Sequence, residues 1–169
     1  GRPKVVDCKG FGEFDSKDVL KRFAIGASSS RHAVARAILA LAEEKGVMVH
    51  APQDFEERPG EGVIFTHDGE RGVSGRLGFL EKNGVEVPTE VALMVRSEKD
   101  AGRGVVLLGV GKKIAGLISY QDEIRKESSE IIQETMALGV HEWHMLTGDN
   151  EKVAAEVAKK IGVTDYHAN

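Results

Sequence analysis

A single cysteine, Cys8, stands in 169 residues, so an internal disulfide framework is excluded and the fold must rest on packing. A lone cysteine fits a reducing compartment, and Cys8 reads as a small structural or exposed residue rather than a nucleophile. Also lacking is any run of about eighteen apolar residues, so no segment reads as a bilayer-spanning helix. No charged-then-apolar signal segment opens the sequence, which begins with Gly1 rather than Met, as expected of a processed or excised chain. Basic excess is absent too: 23 Lys and Arg against 27 Asp and Glu give a formal charge of −4. Binding to nucleic acid or an anionic membrane needs a basic surface that displaces counterions, so neither is expected and any phosphate site must be local.

Familiar catalytic signatures are missing as well. There are no paired cysteines for zinc, no G-x-S-x-G elbow, no Walker loop and no H-E-x-x-H. The stretch HEWH, His141 to His144, is not expected to hold a metal, because residues three apart on a strand point to opposite faces. No internal repeat or low-complexity segment occurs.

What is present is an ordinary globular composition, 41% hydrophobic and 30% charged, enough for one large or two small domains. Ser28 to Gly46 carries apolar residues at Val34, Ala37, Ile38 and Leu41, the spacing of a helix with one buried face. Its serines offer an N-cap and Gly46 a stop. From about Val47 to Val110 short apolar runs broken by Gly, Asp and Asn read as mostly antiparallel sheet. Asp68-Gly69 predicts a tight hairpin, VALMV (Val91 to Val95) a strand, and Gly104 to Val110 and Ile114 to Tyr120 a pair joined across Gly111 to Lys113. Beyond Tyr120 the rhythm becomes helix, strand, helix. Ile124, Ser128, Ile131, Thr135 and Leu138 share one predicted helical face, EWHML is a short strand, and Val153, Ala154, Val157 and Ile161 face inward on the second helix, capped by Asn150. That grammar belongs to a parallel α/β layer. The chain thus divides at about residue 118, with helices and antiparallel sheet in 1–118 and a fragment of α/β sheet in 119–169.

Two stretches carry chemical interest. In MLTGDN, residues 145–150, Thr147, Gly148 and Asp149 stand where a strand ends and a helix begins, a place that collects unpaired N–H groups suited to phosphate. In ERPGEGV, Glu57 to Val63, Gly60 and Gly62 flank Glu61 just before a strand, where glycine lets a ligand approach the backbone. A plain turn after Pro59 would leave the same trace. His32, at a helix start, is an exposed polar residue or a ring able to stack on a base.

The order of these features, SSRHAVARAI, PGEGV, VSGRLGFLE, QDEIRKES, MLTGDNEKVAAEVAKKIGV and YHAN, resembles the heavy-metal-transporting P-type ATPases over nearly the whole chain. In that family a helix start reads S-E-H-P-L-A, a G-x-G-V follows, and T-G-D-N lies in the phosphorylation domain. The resemblance implies an α/β (α+β) architecture: an antiparallel-sheet nucleotide-binding domain flanked by helices in 1–118, and part of a haloacid-dehalogenase-like phosphorylation domain in 119–169. It implies ATP and magnesium as cofactors, with His32, Gly60, Gly62, Val63 and Gly75 on the nucleotide and Thr147, Gly148 and Asp149 near the transferred phosphoryl group. The family's D-K-T-G-T-L-T aspartate and G-D-G-x-N-D segment are expected outside this stretch, so this chain by itself is not expected to turn over ATP. Its implied partners are the nucleotide and the phosphorylation, actuator and membrane domains of the same transporter. The implied location is a soluble, cytoplasmic part of an integral membrane protein.

Departures from the family pattern occur at Arg31, Ala33 and Arg76, and at Ala27, where many members place a glutamate that bonds the adenine amino group. They predict weaker and less adenine-selective binding. The rival expectation is a non-catalytic interaction or regulatory module with a degenerate nucleotide site. A soluble dehalogenase-type phosphatase is a third reading.

Overall fold

The computed structural model describes residues 2–124, 126–147 and 151–168. They form two compact units, one of Arg2–Gln121 and one beginning at Asp122.

The first unit is built on a six-stranded sheet. Its strands are β1 (Arg2–Gly10), β2 (Asp54–Arg58), β3 (Gly62–His67), β4 (Glu70–Gly75), β5 (Gly104–Val110) and β6 (Lys113–Glu123), in spatial order β1-β6-β5-β4-β3-β2. From β2 to β6 each strand is antiparallel to the next. The hairpin at Asp68-Gly69 forms as predicted: both residues have positive φ, 51° and 75°, which a two-residue turn matched to strand twist requires.

Helices cover both faces because the strands alternate between two cores. Leu108, Ala115 and Ile118 pack with α1 (Ser16–Ala27) and α2 (Ala33–Glu44), while Leu107, Ile114 and Leu117 pack with α3 (Leu77–Lys82) and α4 (Thr89–Asp100). Pairing slips between Leu108 and Gly109, opposite Gly116 and Ile114. The extra residue in β6, Ala115, switches its alternation, so that Ala115 and Ile118 reach one core. Each fully buried Leu or Ile contributes about 1.5–3 kcal/mol over exposure.

α1 has a clear cause. The Asp15 side chain accepts the Asp18 N–H at 2.8 Å, and Val19, Leu20, Phe23, Ala24 and Ala27 form a buried stripe. Arg22 ties the helix to the β3–β4 hairpin by donating to Glu70 at 2.8 Å while holding Asp18 at 3.0 Å. Partial burial disfavours its charge, but the hydrogen bonds to Glu70 and Asp18 outweigh this and raise its pKa.

Several expectations need correction. VALMV is not a strand but the first half of α4, where Val91 and Val95, four apart, are buried and Leu93 and Met94 are exposed. Pro88 precedes its first turn and suits a helix start. Residues 47–110 are therefore strands interrupted by two helices. The cap of α2 is His32, not a serine: Nδ1 accepts the Val34 N–H at 3.3 Å. Its buried face is Val34, Ala35, Ile38 and Ala42, turned slightly from the predicted one.

The second unit contains α5 (Lys126–Ala137), β7 (His144–Leu146), α6 (Glu151–Ile161) and β8 (Asp165–His167). β7 and β8 are parallel, as the helix-strand-helix rhythm predicts. On α5 Ile132 is buried, whereas Ile131 and Leu138 are exposed, so the inward face is one residue from the expected one. On α6 Ala154 and Ala158 are buried, with Val153, Val157 and Ile161 half-buried beside them; Gly162, at φ 82°, ends the helix. The expected cap Asn150 lies outside the described residues. Among the described residues no helix is long and apolar enough to cross a membrane.

Candidate functional site

In the first unit a cleft of about 160 Å³ opens between the α1–α2 connection and the ends of β2, β3 and β4. His32, Gly60, Gly62, Val63 and Gly75, far apart in sequence, all line it. The sheet register makes this possible: Gly62 and Gly75 are directly paired across β3 and β4, and Val63 faces Ser74. The Arg76 N–H continues the contact by donating to the Glu61 carbonyl at 3.0 Å.

The floor of the cleft is apolar. Phe23, Val34, Ile38 and Val106 come from α1, α2 and β5. Sequence reading missed them as site residues because each also has the signature of core packing. Ala27, only 6% exposed, adds wall rather than a hydrogen-bonding group.

The rim is polar. His32 uses Nδ1 to cap α2, which leaves the proton on Nε2 as a donor. Val34 and Ala35, in the first turn of α2, line the same cleft, so the partial positive charge of the helix N-terminus lies beside it. Arg58 and Arg76 supply cations, with Arg58 paired to Glu56. Two carboxylates line the site. Glu61 is held by Lys82 at 2.9 Å, whereas Glu57 accepts a hydrogen bond from Ser30 Oγ at 2.7 Å. Ser30 in turn accepts the His32 N–H at 3.2 Å, so Glu57, Ser30 and His32 are positioned together.

Gly60 has φ 77° and open space where a Cβ would stand; its left-handed conformation, not crowding, calls for glycine. Gly62 and Gly75 differ. A Cβ on either would strike the opposite strand's backbone and the Phe79 ring of α3, so these glycines let two strands and a helix meet closely.

In the second unit Thr147 is half-buried at the end of β7 and its N–H donates to the His167 carbonyl at 3.0 Å. Gly148 and Asp149, predicted beside it, lie outside the described residues.

A helix-covered antiparallel sheet with a rim-polar, apolar-floored cleft, joined in sequence to a parallel α/β unit, defines a mixed α/β protein. The chain belongs to the haloacid dehalogenase-like hydrolases, whose family model matches residues 5–169. Within that family its sequence is homologous to copper- and zinc-transporting P-type ATPases. It is 34% identical over 169 residues to the copper-exporting P-type ATPase B of Archaeoglobus fulgidus, covering 99% of this chain and 24% of that protein. It superposes on the crystal structure of a zinc-transporting PIB-type ATPase with a TM-score of 0.78 and 25% identity, over 99% of this chain and 26% of that one. The N-domain of HMA6, a copper-transporting P-type ATPase, shares the fold over 72% of this chain and all of its own length, with a TM-score of 0.61 at 24% identity. This chain spans 21–24% of the length of the first curated relatives it matches.

Proposed function

We propose that this chain is the ATP-binding cytoplasmic portion of a heavy-metal-translocating P-type ATPase, an integral membrane protein. In this reading unit 2–121 is its nucleotide-binding domain, and the unit beginning at Asp122 is part of its phosphorylation domain. The observation that carries the proposal is the convergence of His32, Gly60, Gly62, Val63 and Gly75 on one cleft. The donor set fits a nucleotide. The apolar floor accepts a flat base, and the Nε2 of His32, the N-terminus of α2 and the guanidinium of Arg76 favour an anionic tail. Glu57, oriented by Ser30, is the acceptor for a base amine in place of the glutamate that Ala27 lacks.

The contribution of these residues to the reaction is positioning. Phosphoryl transfer depends chiefly on alignment and charge neutralisation, and a domain that grips base and tail delivers the γ-phosphoryl group to an aspartate supplied elsewhere in the transporter. Thr147, Gly148 and Asp149 act near that group. Magnesium is implied by the same chemistry, and none of the described residues is assigned to it.

An amide-resolved NMR titration of the full 169-residue chain with ATP, and separately with AMP and GTP, tests the proposal. Shifts clustered at His32, Gly60, Gly62 and Gly75, with millimolar or better affinity, are expected. His32→Asn keeps a competent cap for α2 while removing the imidazole, and should weaken ATP binding with little change in stability. No shift at those four amides, or affinity unchanged in His32→Asn, would overturn the assignment.

A further inference from the structure

We propose that His144, Asp165 and His167 form a divalent-cation site for Zn²⁺ on one face of the parallel pair β7–β8. The observation is their juxtaposition. His144 and Asp165 are register partners on neighbouring strands, with Nδ1 and Oδ2 2.7 Å apart. His167 follows Asp165 by two residues, which on a strand returns it to the same face. One donor atom from each of the three side chains lies within 4.8 Å of the other two. Tyr166, between them, behaves as the alternation requires: its hydroxyl donates to Glu151 at the start of α6, at 3.0 Å. The Thr147 N–H to His167 carbonyl bond fixes the end of the strand pair.

The chemistry selects the ion. Two imidazoles and a carboxylate, with no thiolate or thioether among them, suit Zn²⁺ and disfavour Cu(I). A tetrahedral zinc ion with bonds of about 2.0–2.1 Å holds its donors about 3.3 Å apart. To reach that spacing the trio's donors, now within 4.8 Å of one another, would adjust by side-chain rotation, to which their exposure sets no barrier. Three protein ligands leave the fourth position to water. His141, the other histidine of HEWH, precedes β7 and is not in the group.

A simple His144–Asp165 ion pair would explain two of the three residues but gives His167 no part, so His167 decides between them. The site lies wholly within the unit beginning at Asp122 and does not rest on the nucleotide reading. The tag-free 169-residue chain would be titrated with ZnCl₂ against a chromophoric chelator, with side-chain imidazole NMR signals followed in parallel. One equivalent is expected to bind with micromolar or tighter affinity and to shift the His144 and His167 rings. His167→Ala and His144→Ala should each weaken binding by about tenfold or more, while His141→Ala should match the parent. Far-UV circular dichroism checks each variant, and His167→Gln serves if His167→Ala misfolds. Binding no tighter than millimolar, affinity unchanged in the His167 variant, or equal loss in His141→Ala would overturn the proposal.

Discussion

Replacing Gly75 by alanine places a methyl carbon against the Glu61 carbonyl oxygen, 2.8 Å from the Gly62 Cα and 2.9 Å from Cδ1 of Phe79. Only the Phe79 ring could move aside, and it is 5% exposed within the core between the sheet, α3 and α4. The other two obstacles are backbone of a paired strand, so β3 and β4 must separate locally. Overpacking of this kind costs about 1–3 kcal/mol. Gly62→Ala meets the mirror-image obstacle, the Ser74 carbonyl and the Gly75 Cα at 2.8 Å, and should cost a similar amount. Because one widening of the same pair accommodates both methyls, the double variant should lose less than the sum of the singles. Gly78→Ala is the control: apart from its chain neighbours and its own helix backbone, no atom of the described residues lies within 4 Å of its Cβ position, its φ is ordinary and it sits in α3, so alanine should stabilise by about 0.5 kcal/mol. Urea unfolding of the four variants and the parent, followed by circular dichroism, measures all five values. A Gly75→Ala change within about 0.5 kcal/mol of the parent, the range of inert surface substitutions, would refute the reasoning. So would strict additivity in the double variant.

Two further outcomes follow from groups wholly or partly withdrawn from water. Ser119 is fully buried, and among the described residues its hydroxyl has no hydrogen-bond partner, so Ser119→Ala should raise the unfolding free energy by about 1 kcal/mol; a loss in the same urea assay would show that the hydroxyl is satisfied. Burial, with a smaller push from Asp7, raises the Cys8 thiol to about 11. The unfolded chain therefore releases this proton first, and the stability from keeping Cys8 neutral, fully present at pH 7, declines as pH climbs from the ordinary thiol range through about 11. Urea unfolding across that range should show a steeper decline in the parent than in Cys8→Ala, and identical slopes would contradict it.

Much of the architecture could be read from local chemistry. Asp68-Gly69 has few uses other than a tight turn, and the Val34 and Ile38 spacing forces a helix whose face only needed slight rotation. VALMV misled because five apolar residues fit a buried strand or one side of a short helix equally well, and only the sheet and its neighbours decide. α1 carried its own signals, Asp15 as cap and a Val19, Leu20, Phe23, Ala24 stripe, but its weight comes from burial against α2, β1 and the hairpin. In the site, glycine and histidine were visible through their order along the chain. The apolar floor was not, since Phe23 and Val106 acquire a second role only when three elements meet. Register is the least visible property: nothing in the sequence announces that His144 stands opposite Asp165, because a one-residue slip would pair it differently.

The paired glycines also show why a glycine pattern is weak evidence for a ligand. Gly62 and Gly75 line the cleft, yet the space a side chain would need there is taken by a neighbouring strand and Phe79. Sheet and helix packing would demand glycine at both positions in a protein that bound nothing. Gly60 is different in kind, since its surroundings are open and only its φ of 77° is special. Gly60→Ala should therefore cost about 1–2 kcal/mol through backbone strain, leaving room for a nucleotide unchanged, whereas His32→Asn should spare stability and reduce affinity. Stability and affinity thus separate residue by residue, and the two losses need not coincide anywhere along the cleft. If ATP binding fell only in variants that also unfolded more easily, the cleft would be acting through its packing, and the direct contact assigned to His32 would be wrong.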